Sequence, residues 1–125
     1  GIGAAIVRRF ADAGASVALA NRTNDYSEAL AAELRQQGHR ATTYPFIDLS
    51  RRGIAGLVAD VARDHANRLD IVVHNAGGCP WSDLEMLEVG QLDDVLDLNL
   101  KACFWVAQAA RPRGARNPMI ATCRA

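Results

Sequence analysis

The chain has 125 residues, half of them hydrophobic, which is long enough for one domain with an apolar core and too apolar for a disordered segment. Its 14 Lys and Arg balance 14 Asp and Glu, which removes the bulk pull toward nucleic acid or an anionic membrane and favours a small neutral ligand or a locally recognised anion. Arg or Asp interrupts every apolar run before the ~20 residues of a membrane span, and the odd set Cys79, Cys103 and Cys123, without C-x-x-C spacing, fits a reducing, cytoplasmic setting.

The chain opens at Gly1-Ile2-Gly3 with neither Met nor a targeting segment, so an upstream portion is expected. Ile2, Ile6, Val7, Phe10 and Ala13 recur at helical spacing, and Gly14 stands where a C-terminal cap belongs. Ser16 to Ala20 is a short apolar run, the pattern of a strand buried on both faces. Asp25 with Glu28 forms a variant capping box, Leu30 and Leu34 mark one face, and Gly38 ends a second helix. A strand is expected between Arg40 and Ile47, with Pro45 confining it to a sheet margin or shortening it.

Asp48-Leu49-Ser50 turns the chain into a third helix, Arg51 to Asn67. There Ile54, Leu57, Val58, Val61 and His65 share a stripe, while Gly53 and Gly56 each weaken the helix by up to ~1 kcal/mol. Leu69 to His74 predicts a third strand. A long helix from about Gln91 to Ala110 carries Leu92, Val95, Leu96, Cys103, Val106 and Ala107 on its core side and stops at Arg111-Pro112. Met119 to Ala121 reads as the stub of a further strand. Helices alternating with short apolar strands predict an α/β fold, a doubly wound parallel sheet with right-handed crossovers.

Ligands of such sheets bind at the carboxyl ends of the strands, so the residues after each strand are the informative ones. Gly1-Ile2-Gly3 opens the first helix with no side chain across its free N–H groups, as a pyrophosphate site requires and as a plain turn would also show. Asn21-Arg22 follows the first strand; a guanidinium there can pair with the 2′-phosphate of NADP or simply be solvated. Asp48 can accept the adenine amino group with Leu49 over the ring, or serve as an ordinary turn residue before the N-capping Ser50. Asn75-Ala76-Gly77 offers small residues past which a ligand can approach the backbone, and a simple turn would look the same. Asn99 lies between Leu96 and Cys103 on an apolar stripe, where an unpaired amide costs roughly 1 to 3 kcal/mol, so it needs partners or a job. His39, His65 and His74 sit on separate elements without ligand spacing, which argues against a metal site.

Together these residues resemble the short-chain dehydrogenase/reductase family, classical type. Gly1-Ile2-Gly3 matches the last three letters of its T-G-x-x-x-G-x-G motif, and Asn21-Arg22 resembles the NADP-type ending of its second strand. Asp48-Leu49 matches the adenine-binding Asp, His74 to Gly77 the N-N-A-G motif with His for the first Asn, and Asp97 to Lys101 the central helix that carries the catalytic Asn. The resemblance covers Gly1 to about Ala110, with 111–125 a divergent tail, and makes residues 1–125 a single partial dinucleotide-binding domain. It implies a Rossmann-like fold lacking its first strand and C-terminal half. It also implies hydride transfer between NADP(H), with NAD less favoured, and a small-molecule carbonyl or secondary alcohol.

By the same resemblance Asn99 is the catalytic residue present. Gly1, Ile2, Gly3, Asn21, Arg22, Asp48, Leu49, Asn75, Ala76 and Gly77 form the cofactor set, with no metal, nucleic acid or membrane partner and homo-oligomerisation of the complete parent, for which Phe104-Trp105 suits an interface. The family's Ser and its Tyr-x-x-x-Lys pair have no counterpart here, since neither Tyr26 nor Tyr44 is followed four residues later by Lys. The chain alone is therefore expected to be inactive, and the alternative reading is a non-catalytic nucleotide-binding remnant. An S-adenosylmethionine-dependent methyltransferase would want an acid where Asn21-Arg22 stands, and a phosphoacceptor domain built on Asp48 would want an acidic cluster near the first strand and a late Lys.

In the strand order 3-2-1-4-5-6 the missing first strand lies at the sheet centre, leaving unpaired N–H and C=O groups beside it. The chain by itself is then expected to be marginally stable and to bind NADPH weakly or not at all. A cooperative melt together with micromolar NADPH binding by calorimetry would refute this.

Overall fold

Helix α1, Ile2–Asp12, closes on a left-handed glycine in the computed structural model, which describes residues 1–22, 24–45, 48–79, 83–113 and 119–120. Gly14 has φ +87°, so the Ala15 N–H reaches back to Phe10 O at 3.0 Å and the Gly14 N–H to Ala11 O at 2.8 Å. Helix α2, Asn24–Gln36, ends the same way on Gly38 (φ +86°), with His39 N–H on Leu34 O and Gly38 N–H on Arg35 O. Both glycines do what the sequence expects: the pair of bonds satisfies carbonyls that a helix end leaves open.

The chain divides into two compact units, Gly1–Ile47 and Asp48–Ala125. In the first, β1 (Val17–Asn21) pairs in parallel with β2 (Ala41–Pro45), from Val17 opposite Ala41 to Asn21 opposite Pro45. Pro45 takes the last place of the ladder, as its missing N–H dictates; Phe46 and Ile47, at the end of the expected strand, lie outside the described residues. Ala11, Val17, Leu19, Ala31, Leu34 and Ala41 form the core, with Val7, Phe10, Ala15 and Leu30 packed against it. Two corrections follow. In β1, exposed Ala18 and Ala20 alternate with buried Val17 and Leu19, so the strand has one covered face rather than two. The small apolar alanines hide that alternation in the sequence. Asp25 is the second residue of α2 rather than its cap, and the Glu28 carboxylate takes Arg35 Nη1 at 2.8 Å and the Thr43 hydroxyl at 2.6 Å, tying α2 to β2.

The second unit holds α3 (Arg51–Asp64), β3 (Val73–His74), α4 (Val89–Leu96), α5 (Ala102–Ala110) and β4 (Met119–Ile120), with β3 parallel to β4. The described strands form two separate parallel pairs, β1–β2 in the first unit and β3–β4 in the second. Strand β3 is shorter than the Leu69 to His74 run, covering Val73–His74. Ile54, Val58, Val61 and Ala62 of α3 are buried with Ala102, Cys103 and Ala110 of α5. Alanines at the first and last positions of α5 allow α3 and α5 to pack. At one end the Arg51 guanidinium lies 5.1 Å from the Trp105 ring centroid, a cation–π contact.

The long helix starts two residues earlier than its apolar pattern implies. Glu88 and Gln91 form a reciprocal capping box that overrides the poor helix former Gly90. Leu92 and Leu96, expected on the core side, are exposed. Periodicity shows which face is apolar, not whether another element covers it.

Gly38 and Gly56 set opposite expectations. A Cβ at Gly38 forces a side chain into the left-handed region, whereas at Gly56, inside α3, it meets nothing within 4 Å. Gly38→Ala should cost about 1–2 kcal/mol, and Gly56→Ala should gain roughly 0.5–1 kcal/mol, both read from urea midpoints of the intact protein.

Candidate functional site

The assigned residues fall into one set per unit. In the first unit, Gly1 caps α1 without any side-chain hydrogen bond, so the leading N–H groups keep their free donors and the positive end of the helix dipole. Asn21 closes β1 and folds its Oδ1 onto the Arg22 backbone N–H at 2.8 Å. Arg22 is exposed and forms no ion pair among the described residues. Other arginines of the unit are engaged: Arg8 grips Glu33 with two bonds of 3.0 and 2.7 Å, and Arg35 holds Glu28 and the Ala41 carbonyl.

In the second unit, Asp48 Oδ1 accepts the Ser50 N–H at 2.8 Å, and the Ser50 hydroxyl in turn accepts the Gly53 N–H at 3.1 Å to cap α3. The Ser50 backbone N–H, then its hydroxyl, hold the Asp48 carboxyl below the usual carboxylate range. Gly53, which weakens the helix by propensity, has a steric reason: a Cβ there would collide with the Asp48 side chain and carbonyl. Asp48 is thus a fixed anion with turn and cap built around it, and half-buried Leu49 follows.

After β3 the chain runs His74, Asn75, Ala76, Gly77, Gly78. His74 is buried, and its Nε2 lies 3.4 Å from the Leu98 carbonyl oxygen. Burial pushes its pKa down against the milder upward pull of that carbonyl. The Asn75 Oδ1 is buried with no hydrogen-bond partner among the described residues. An acceptor left in that state costs roughly 1–3 kcal/mol unless a donor from outside satisfies it.

Asn99 occupies a π-helical turn, Asp97–Lys101, between α4 and α5; backbone angles stay helical from Leu96 through Ala102, and the Ala102 N–H bonds Asp97 O five residues back. Such turns re-aim side chains within a helix. The Asn99 Oδ1 accepts the Gly78 N–H at 3.1 Å, while its Nδ2 donates to Gly78 O at 2.7 Å and to Val95 O at 2.8 Å. The Cys103 thiol, raised in pKa by burial and so kept protonated, donates to the Asn99 carbonyl at 3.3 Å. Asn99 therefore has the partners its position demands, and the one it clamps is Gly78. The sequence reading passed over Gly78, although the Gly77-Gly78 doublet after a strand was the available signal.

Each unit by itself carries polar groups of a kind that nucleotides take: the α1 N–H donors and the exposed Arg22 guanidinium in the first, and two acceptors, the fixed Asp48 carboxylate and the Asn75 Oδ1, in the second.

A family model described as short chain dehydrogenase matches residues 1–119. An uncharacterized oxidoreductase of Mycobacterium tuberculosis is 36% identical over 112 residues, covering 90% of this chain and 42% of the relative. A metagenomic short-chain oxidoreductase solved in complex with NADP superposes with a TM-score of 0.86 at 30% identity, over 96% of this chain and 55% of that one. A short chain dehydrogenase from Burkholderia cenocepacia, also in complex with NADP, gives 0.83 at 32% identity over 90% and 46%. The chain thus spans about half the length of the proteins it resembles.

His74 sets a pH dependence. Its folded pKa is depressed below an ordinary value of about 6.5, so the unfolded state binds the proton more readily. The stability it contributes is full above that ordinary value and is lost as pH falls through the folded value. Urea midpoints of the intact protein should fall on acidification below about pH 6.5, and His74→Gln should flatten that part of the profile; an equal slope in both proteins would contradict it.

Proposed function

Because this chain belongs to the short-chain dehydrogenase family, we propose that it is the cofactor-binding part of an NADP-dependent oxidoreductase acting on a small carbonyl or secondary alcohol. The observation that carries the reading is local. The strands of the parallel pairs β1–β2 and β3–β4 are followed along the chain by groups suited to parts of the cofactor: Arg22 after β1, Asp48 after β2 and Asn75 after β3. Carboxyl ends of parallel strands are where such sheets bind ligands. The NADP carried by two of the similar structures supports the choice of cofactor.

In this reading the first-unit and second-unit residues belong to one partial dinucleotide-binding domain. The N–H groups at Gly1, Ile2 and Gly3 hold the pyrophosphate, and Arg22, with Asn21 shaping its turn, pairs with the 2′-phosphate. Asp48 accepts the adenine amino group, and Leu49 covers the ring. Asn75 to Gly77 let the backbone approach the cofactor, the Asn75 Oδ1 taking a hydroxyl or amide proton that nothing described supplies. Bound NADPH would supply the hydride.

Asn99 fixes Gly78, and so the path of the loop that borders the reacting end, at the cost of no free donor. The proton that accompanies the hydride is assigned by the family resemblance to a Tyr beside a Lys, neither of which matches a residue of this chain. NADPH oxidation by the intact protein with any of a panel of aldehydes and ketones supports the reductase reading; tight NADPH binding with no turnover would favour a nucleotide-binding remnant.

Cofactor choice gives a sharper expectation. Removing one charge-assisted pair costs about 1.5–3 kcal/mol, or roughly 10- to 100-fold in affinity. Arg22→Ala should weaken NADPH binding of the intact protein by that factor in calorimetry and change NADH by little, because only NADPH carries the 2′-phosphate. Equal losses for both would remove Arg22 from the role.

A further inference from the structure

Three hydrogen bonds join two short stretches of the second unit, and a fourth anchors one of them within its own helix. At one end the buried His74 ring meets the Leu98 carbonyl at 3.4 Å; at the other Asn99, the next residue, exchanges two bonds with the Gly78 backbone and a third with Val95 O. The segment 74–78 is therefore held to the π-helical turn at both of its ends. A carbonyl oxygen only accepts, so the His74 Nε2 carries the proton that the bond needs. His74 stands where the resembled motif has Asn, and a ring reaches farther from the backbone than an Asn amide does.

We propose that His74 is a positioning residue: by donating to the Leu98 carbonyl it sets the turn from which Asn99 clamps Gly78. The inference rests on the reading of Asn99 as part of the hydride-transfer site for its importance, and on the contacts above for its content. The Leu98 carbonyl and the Asn99 side chain leave adjacent residues of one helical turn, so a rotation that releases Leu98 O moves the Asn99 amide off Gly78. Cys103 adds a third restraint by donating its thiol proton to the Asn99 carbonyl. Gly78 accepts this closeness easily, with the space beside its Cα ending at Leu98 Cδ2, 3.6 Å from a built Cβ.

Amide hydrogen exchange in the intact protein reads this directly, because the Gly78 N–H is protected by Asn99 Oδ1. His74→Leu keeps an apolar side chain and removes the donor. His74→Gln keeps an N–H donor the same number of bonds from the backbone. Gly78 exchange should quicken about tenfold or more in the Leu variant and return to near the parent rate in the Gln variant, with amides of Ile54 and Val58 in α3 unchanged in both. Equal Gly78 rates in all three proteins, or a Gln variant that behaves as Leu with α3 still protected, would overturn the proposal. The parent needs no variant for a second reading: nitrogen chemical shifts of the His74 ring at neutral pH should show the proton on Nε2, and a proton on Nδ1 would overturn it as well. Failure to bind NADPH would sink the functional reading and leave the Gly78 exchange result to stand or fall by itself.

Discussion

A side-chain amide on an otherwise apolar helical stripe must be answered by backbone, and the answer organises the second unit. Asn99 spends three bonds, two of them on the single residue Gly78, so the loop after β3 is tied to a turn two elements further along the chain. The π geometry makes this possible: one extra residue in the turn rotates Asn99 relative to a regular helix while the backbone angles remain helical. Unpaired, the same amide and the Gly78 groups would each carry a desolvation cost, so the clamp is specified by what it avoids as much as by what it gains.

A second constraint has the same form. Asp48 is fixed by Ser50, Ser50 caps α3 through Gly53, and Gly53 is bare because Asp48 fills the space a Cβ would take. A helix start that looks poor by propensity is thereby explained by the carboxylate next to it. The Asp48 carboxylate follows β2 in the chain as Asn75 follows β3, and the Asn75 Oδ1 has no partner among the described residues.

Much of this was legible in the residues. Gly14 and Gly38 announce helix ends because only glycine takes the left-handed angle without cost, and the Ile54, Val58, Val61 stripe announces the buried face of α3. What stayed hidden has physical reasons. Alanines at 18 and 20 read as apolar whether covered or not, so the one-sided burial of β1 could not be seen. The leucines at 92 and 96 show an apolar face without showing a partner for it. The start of α4 depended on a Glu–Gln capping box in place of the more familiar Ser or Thr, and the extra residue of the π turn leaves no trace in spacing that short. Asn99 is legible because an amide on an apolar stripe needs partners, and the structure leaves it half-buried; its partner is not, because the Gly77-Gly78 doublet marks a close backbone approach without naming what approaches.

In the proposed reading, the N–H groups at α1, the Arg22 guanidinium, the Asp48 carboxylate and the Asn75 Oδ1 are each suited to one part of a phosphorylated dinucleotide. The most direct test is a map of backbone amide shifts of the intact protein as NADPH is added. The account predicts perturbations concentrated at Ile2, Gly3, Arg22, Asp48, Leu49 and Asn75 to Gly78, with those at Arg22 absent when NADH replaces NADPH. Saturable NADPH binding that leaves these amides unmoved would contradict it.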